Sequence, residues 1–257
     1  MSAVSLLEVR GVSKRFGGVQ AVKEVGFDVR QGSIKAVIGP NGAGKSTLFN
    51  LLTGVTVPDA GEVRLDGQPL QGRPPHQVAA RGVARTFQHL RLFAGMTALE
   101  NVMVGAHLRS RAGFLAGLLD LPSTWAEERA IAGQARQALE VVGAAGLAGR
   151  DARSLSYGQQ RAVELARALA AGPRLLLLDE PAAGLNLRET AELARLLVRI
   201  RERGVTILVV EHDMGLVMSV SDEVVVLAAG EKIADATPGQ VQKDPHVIRV
   251  YLGDEAC

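Results

Sequence analysis

Ile34-Lys-Ala-Val-Ile-Gly-Pro-Asn-Gly-Ala-Gly-Lys-Ser-Thr-Leu-Phe-Asn-Leu-Leu-Thr-Gly54 is the stretch on which the reading of this chain turns. Ile34 to Ile38 is an apolar run of strand length, and Ser46 to Thr53 reads as a helix ended by Gly54. Between them Gly39, Gly44, Lys45 and Ser46 occupy the fixed positions of G-x-x-x-x-G-K-[ST]. Strand, glycine loop and helix start in that order turn successive backbone N–H groups toward an anion, with the positive end of the helix dipole behind them. A polyphosphate is therefore expected against Gly39, Pro40, Asn41, Gly42, Ala43, Gly44, Lys45, Ser46 and Thr47. Lys45 would neutralise the terminal phosphate oxygens, and the Ser46 hydroxyl would take one coordination position on Mg²⁺.

Working outward, Leu175 to Leu178 form a second buried strand, followed by Asp179 and Glu180 and stopped by Pro181. Ligands of a parallel sheet collect at the carboxyl ends of its strands, so both carboxylates should face the phosphate. Asp179 is expected to hold Mg²⁺ through its water shell, and Glu180 to take a proton from the attacking water. Val205 to Glu211 is a third such strand, and His212 just past its end is placed to contact the γ-phosphate. Gln88, in Arg85-Thr-Phe-Gln-His-Leu-Arg-Leu-Phe93, can reach toward Mg²⁺ or the attacking water. Downstream, Leu155-Ser-Tyr-Gly-Gln-Gln-Arg161 opens a helix that runs from Gln159 to Ala171 and stops at Gly172-Pro173.

Taken in this order, the segments resemble the nucleotide-binding subunit of an ABC transporter, nearly end to end. Ala84-Arg-Thr-Phe-Gln-His-Leu-Arg-Leu-Phe93, the Leu155 to Arg161 signature, Asp179-Glu-Pro-Ala-Ala-Gly-Leu-Asn186, Glu211-His-Asp-Met214 and the tail Asp244 to Gly253 narrow the likeness. They resemble the ATPase subunits of bacterial branched-chain amino-acid importers. Two positions depart from the general pattern: Tyr157 stands where a glycine is commonest, and Asn186 where aspartate is usual.

The resemblance implies an α/β fold, a RecA-like P-loop NTPase core with an antiparallel β subdomain and an inserted α-helical subdomain. Residues 1–257 would form a single nucleotide-binding domain, with 1–88 and 159–257 as the catalytic core and 89–158 as the helical insertion ending in the signature. It implies ATP and Mg²⁺ as cofactors, Ser46, Gln88 and Asp179 around the metal, and Glu180, His212 and Gln88 in catalysis. Phe16 matches the place where such ATPases set an aromatic ring against adenine. Ser156, Gly158 and Gln159 lie at a second helix N-terminus with no phosphate of its own to hold, so they are expected to bind the γ-phosphate of a partner subunit. The partners implied are a related but different ATPase chain, two transmembrane permease subunits and, indirectly, a periplasmic or extracellular solute-binding protein. The location implied is the cytoplasmic face of the plasma membrane, held there by the permeases.

Composition agrees with this. A 257-residue chain that is 47% hydrophobic can bury a sizeable core. No run approaches the roughly 18 apolar residues of a membrane span, and Gly113 to Leu119 is too short for one. Met1 to Arg10 has neither a basic leader nor a long apolar region, so no signal peptide is expected. The single cysteine, Cys257, cannot form an intrachain disulfide. A net charge of +2 without a dense Lys/Arg cluster gives no indication of nucleic acid. Alternating runs in residues 4–30 and 61–67 suggest the antiparallel sheet, and Asn186 should cap a helix whose Leu193, Leu196, Leu197 and Ile200 share one face before Gly204 ends it. A soluble ABC ATPase of DNA repair or translation would carry a long insertion or a second motif set. A small-molecule kinase would lack the signature. The cargo stays open between branched-chain amino acids, amides, urea and aromatic acids.

Overall fold

The computed structural model describes residues 4–86, 88, 91–107 and 122–252; the apolar segment 113–119, His89 and Cys257 lie outside them. Two compact units are present, one made of residues 1–85 and 174–257, the other of residues 86–173.

In the first unit, β1 (Ser5–Phe16) and β2 (Val19–Arg30) form a long hairpin, joined by β4 (Ala60–Leu65) and the short β5 (Gln68–Pro69) into an antiparallel sheet of order β2-β1-β4-β5. The second sheet contains β3 (Ile34–Ile38), β6 (Val83–Arg85), β7 (Leu175–Asp179), β8 (Thr206–Val210), β9 (Glu223–Ala228) and β10 (Glu231–Ala236), in the order β10-β9-β3-β8-β7-β6. Its pairs are parallel except for the edge strand β10. Every residue of β3, β7 and β8 is buried, as expected where helices and a second sheet cover both faces. Leu48, Phe49 and Leu52 of helix α1 (Lys45–Leu52) join Val37, Leu177 and Leu208 of this sheet and Val9, Val25 and Phe27 of the other in one core.

Register fixes where the functional segments emerge. Val210 pairs with Val37 on one side and with Asp179 on the other. The ladder continues one residue further, the Glu180 N–H donating to Val210 O at 2.9 Å and the Glu211 N–H to Val37 O at 3.4 Å. The chain therefore leaves β3, β7 and β8 on one level, so that Gly39, Glu180 and Glu211 open three neighbouring loops at the same sheet edge. Among the described residues this unit also holds the helices α2 (Pro75–Ala80), α6 (Leu187–Glu202), α7 (Met214–Val220), α8 (Pro238–Val241) and α9 (Pro245–Leu252).

The second unit is helical. Helices α3 (Ala98–Ala106), α4 (Pro122–Val141) and α5 (Tyr157–Ala170) share a core of Ala98, Val102, Ala135, Leu139, Val163, Ala166 and Ala170. The sequence reading ended the helical insertion at residue 158 and gave the helix after it to the catalytic core. The compact unit instead runs on to Pro173, because the apolar face of α5 is buried among α3 and α4. Among the described residues no helix is long and apolar enough to cross a membrane.

Candidate functional site

The glycine loop is a consequence of crowding. Gly44 is the N-cap of α1 with φ 99°, and a Cβ there would collide with the Ala21 carbonyl oxygen. Gly39 is held as tightly, against the carbonyl oxygen of Leu227. No side chain caps α1, and the first N–H groups of any helix have no partner within it. Lys45 folds back over the loop, its Nζ donating to Gly39 O at 2.6 Å and to Pro40 O at 2.9 Å. Burial lowers the Lys45 pKa, while the nearby charges of Glu180 and Asp179 act to raise it. A buried ammonium held by carbonyl dipoles beside an uncapped helix start is suited to an anion of more than one charge. Ser46 and Asn41 are exposed at the loop.

Asp179 closes β7 and is itself buried. Glu180 then turns out of the sheet with φ 48°, a left-handed conformation uncommon for a glutamate and held at both ends: its N–H is on Val210 O, and its carbonyl accepts from the Ala183 N–H at 3.1 Å. The fully buried Glu211 holds the next loop. One carboxylate oxygen accepts from the Ala182 N–H at 2.7 Å, the other from the His212 and Asp213 N–H groups at 3.0 and 3.3 Å. The turn after Glu180 is thereby tied to the backbone of His212, whose imidazole stays largely exposed, 3.9 Å from Glu211. Burial pushes the Glu211 carboxyl above its ordinary range, and these three N–H donors oppose the shift.

Serine, glutamine and a single carboxylate are hard oxygen donors. Among the described residues no group of three or more His, Cys, Asp or Glu could cage a metal. Ser46 and Asp179 fit Mg²⁺, which keeps much of its water and takes its remaining ligands from phosphate. Phe16, at the end of β1, has its ring half exposed under the Lys14 ammonium, 5.5 Å from the ring centre. At the opposite end of the chain, Tyr251 of α9 reaches the Gly39 backbone; burial raises its phenol to about 12, and the hydrogen bond from Gly39 works against that rise.

In the helical unit, Gln88 is exposed, and its carbonyl accepts from Arg161 Nη2 at 2.8 Å. The same nitrogen lies 2.8 Å from the Tyr157 hydroxyl, so the tyrosine at the departing signature position lies on the arginine that grips the Gln88 loop. Ser156 caps α5: its Oγ accepts from the Gln159 N–H at 3.4 Å, and Gln159 Oε1 accepts from the Ser156 N–H at 3.0 Å. Asn186 behaves similarly at α6, accepting from the Glu189 N–H at 3.0 Å, so the second departure is an effective helix cap.

A family model described as ABC transporter matches residues 22–183. The chain belongs to the ABC transporter family. A second model, described as a branched-chain amino acid ATP-binding cassette transporter, matches residues 231–257. The chain is 49% identical over 250 residues to the high-affinity branched-chain amino acid transport ATP-binding protein BraF of Pseudomonas aeruginosa, covering 97% of this chain and 98% of that one. It superposes with a TM-score of 0.83 on MJ1267, an ATP-binding cassette of an ABC transporter in its ADP conformation, at 29% identity over 98% of this chain and 100% of the other. With MJ0796, a bacterial ABC transporter cassette in a dimeric structure, the TM-score is 0.76 at 26% identity over 90% and 98%. The chain is an ATP-hydrolysing cassette on a P-loop NTPase fold.

Within this ABC cassette, the first unit holds the glycine loop, Asp179, Glu180 and His212. Gln88 and the signature residues lie together in the second. Three residues were missed: Arg85, Glu211 and Tyr251. Arg85 and Glu211 each follow an uninterrupted apolar stretch, Val83-Ala84 and Ile207 to Val210, which is the one signal that could have marked them.

Proposed function

We propose that this cassette is one ATPase subunit of a pair that powers uptake of amino acids, branched-chain ones foremost, through two permease subunits at the cytoplasmic face of the membrane, the solute being delivered by a separate binding protein. The observation that carries the nucleotide chemistry is the uncapped start of α1 with Lys45 across it, on one sheet edge with Asp179 and Glu180. The cargo is supported by the 49% identity to BraF and by the tail model at residues 231–257.

In this reading the N–H groups of residues 41–47 and Lys45 hold the β- and γ-phosphates, and Phe16 stacks on adenine. Ser46 and Asp179, with Gln88, would hold Mg²⁺, which would supply neutralisation of charge on the phosphate oxygens. Glu180 takes the proton of the attacking water at its carboxylate, its direction fixed by the strained turn and by the Glu211 clamp on Ala182. His212, positioned by the same clamp, donates to the γ-phosphate. Ser156, Gly158 and Gln159 serve the nucleotide of the partner subunit, a related but different chain. Closing and opening of that pair is the two-state element that the permeases read. Leu92 and Phe93, which follow Gln88, carry the movement to the permeases.

Replacing the proposed base tests the assignment. Glu180→Gln should retain nucleotide affinity while steady-state hydrolysis falls by ~10²-fold or more. Near wild-type turnover in that variant would remove Glu180 from the role.

A further inference from the structure

Arg85 is the last residue of β6 and pairs in register with Leu177, two residues before Asp179 on the same face of β7. Its side chain is 9% exposed and that of Asp179 8%. Arg85 Nη2 donates to Asp179 Oδ2 at 2.8 Å. The other terminal nitrogen, Nη1, donates to Asn50 Oδ1 at 2.7 Å and Thr53 Oγ1 at 3.3 Å, both from the α1 segment, and the guanidinium lies 5.5 Å from the Phe49 ring centre. One planar fork thus ties the carboxylate at the end of β7 to the helix that begins at the phosphate loop. A lysine, with a single point of charge, could not bond in both directions at fixed angles.

A buried carboxylate needs a partner, and a guanidinium meeting it side-on would take both of its oxygens. Here the cation is anchored from behind by Asn50, Thr53 and Phe49, and it bonds Oδ2. We infer that Arg85 is the positioning residue for Asp179: it holds one carboxylate oxygen so that the other is presented to Mg²⁺ in a fixed orientation, and it couples that orientation to α1. The inference rests on the reading of Asp179 as the group that holds the metal. Groups that orient metal ligands from behind typically change metal affinity by about 10- to 100-fold when removed.

The test is the Mg²⁺ dependence of nucleotide binding, measured by calorimetry on the full chain with the non-hydrolysable β,γ-imido analogue of ATP. In Arg85→Gln the analogue should bind as in the wild type in EDTA, while the MgCl₂ concentration that gives half of the metal-dependent gain rises by about 10-fold. Arg85→Lys should give a smaller rise. Should Arg85→Gln fail to fold, the pair Asn50→Leu and Thr53→Val, which leaves the Arg85–Asp179 contact but frees the fork from α1, should shift the same midpoint upward by about 3-fold. An unchanged midpoint in a folded variant would make Arg85 a plain ion-pair partner, and a lower midpoint would show that its charge opposes the metal; either overturns the inference. Equal weakening in EDTA and in MgCl₂ would also overturn it, placing the effect on the phosphate loop. Should the wild type and Asp179→Asn show the same Mg²⁺ response, the reading of Asp179 itself is what fails.

Discussion

Helices α1 and α5 both begin beside a glycine in a segment that sequence reasoning assigns to phosphate, yet they complete their first turns differently. At α1 the N-cap is Gly44, no side chain bonds the first turn, and Lys45 stands over the opening. At α5 Ser156 and Gln159 cap each other reciprocally. The first end is built to receive an anion from outside. The second is stable by itself and needs no external phosphate to complete it. What remains available there is the Ser156 hydroxyl hydrogen, since a serine oxygen that accepts one bond can still donate another. A capping box is worth about 1 kcal/mol. In the proposed pair, a phosphate from the partner would therefore meet a site that is closed at small cost.

The sharpest way to break this contrast is at Lys45. Lys45→Ala should weaken nucleotide binding by about 10- to 100-fold, the span of a charge-assisted bond, because no other side chain of the loop is cationic. Binding isotherms decide it; wild-type affinity would mean that the α1 end is not the principal anion site. At α5 the expected effect is smaller and lies elsewhere. Ser156→Arg should leave binding at the chain's own glycine loop intact and lower hydrolysis about 10-fold at the site opposite, in an assembly whose only working glycine loop belongs to the partner. Undiminished ATPase in that pairing would show that the box serves the helix alone.

A third arrangement sharpens the comparison further. Glu211 gives the N–H groups of Ala182, His212 and Asp213 an anion from within the chain, where α1 awaits one from solution. Burial holds the folded carboxyl above its ordinary value of 4.5, so the folded state keeps its proton to higher pH than the unfolded chain does. The stability this contributes is complete below 4.5 and is lost as pH rises through the raised folded value. Glu211→Gln keeps an acceptor oxygen but does not ionise. Its melting temperature should fall less than that of the wild type as pH rises from the ordinary carboxylate range toward neutrality, a difference of the order of 1 kcal/mol per pKa unit. Parallel curves would mean that the backbone donors cancel the burial completely.

Much of this could be read from residues in line. Apolar runs of strand length end at Ile38, Leu178 and Val210, and the residues directly after each run lie at the site. The glycine loop was legible because backbone demands are local. The boundary of the helical unit was not, because the apolar face of α5 would suit either unit and only packing against α3 and α4 decides. Glu211 and Arg85 escaped for a related reason. The partners of Glu211 include a backbone N–H 29 residues away, and Arg85 bonds an aspartate 94 residues away. No periodicity records such pairings.

Asn101 has a quieter role in the helical unit. Fully buried at α3, its Oδ1 accepts from the Phe93 N–H at 2.7 Å, and its Nδ2 donates to Thr97 O at 3.0 Å and Phe93 O at 3.2 Å. The loop so held displays Phe93 and Met96 to solvent. Shape and lettering are thus divided between different positions: one amide inside keeps the backbone, while the side chains outside can be rewritten without unfolding it. Substitutions at positions 93 and 96 should therefore leave the fold of this loop in place, provided position 101 stays an asparagine.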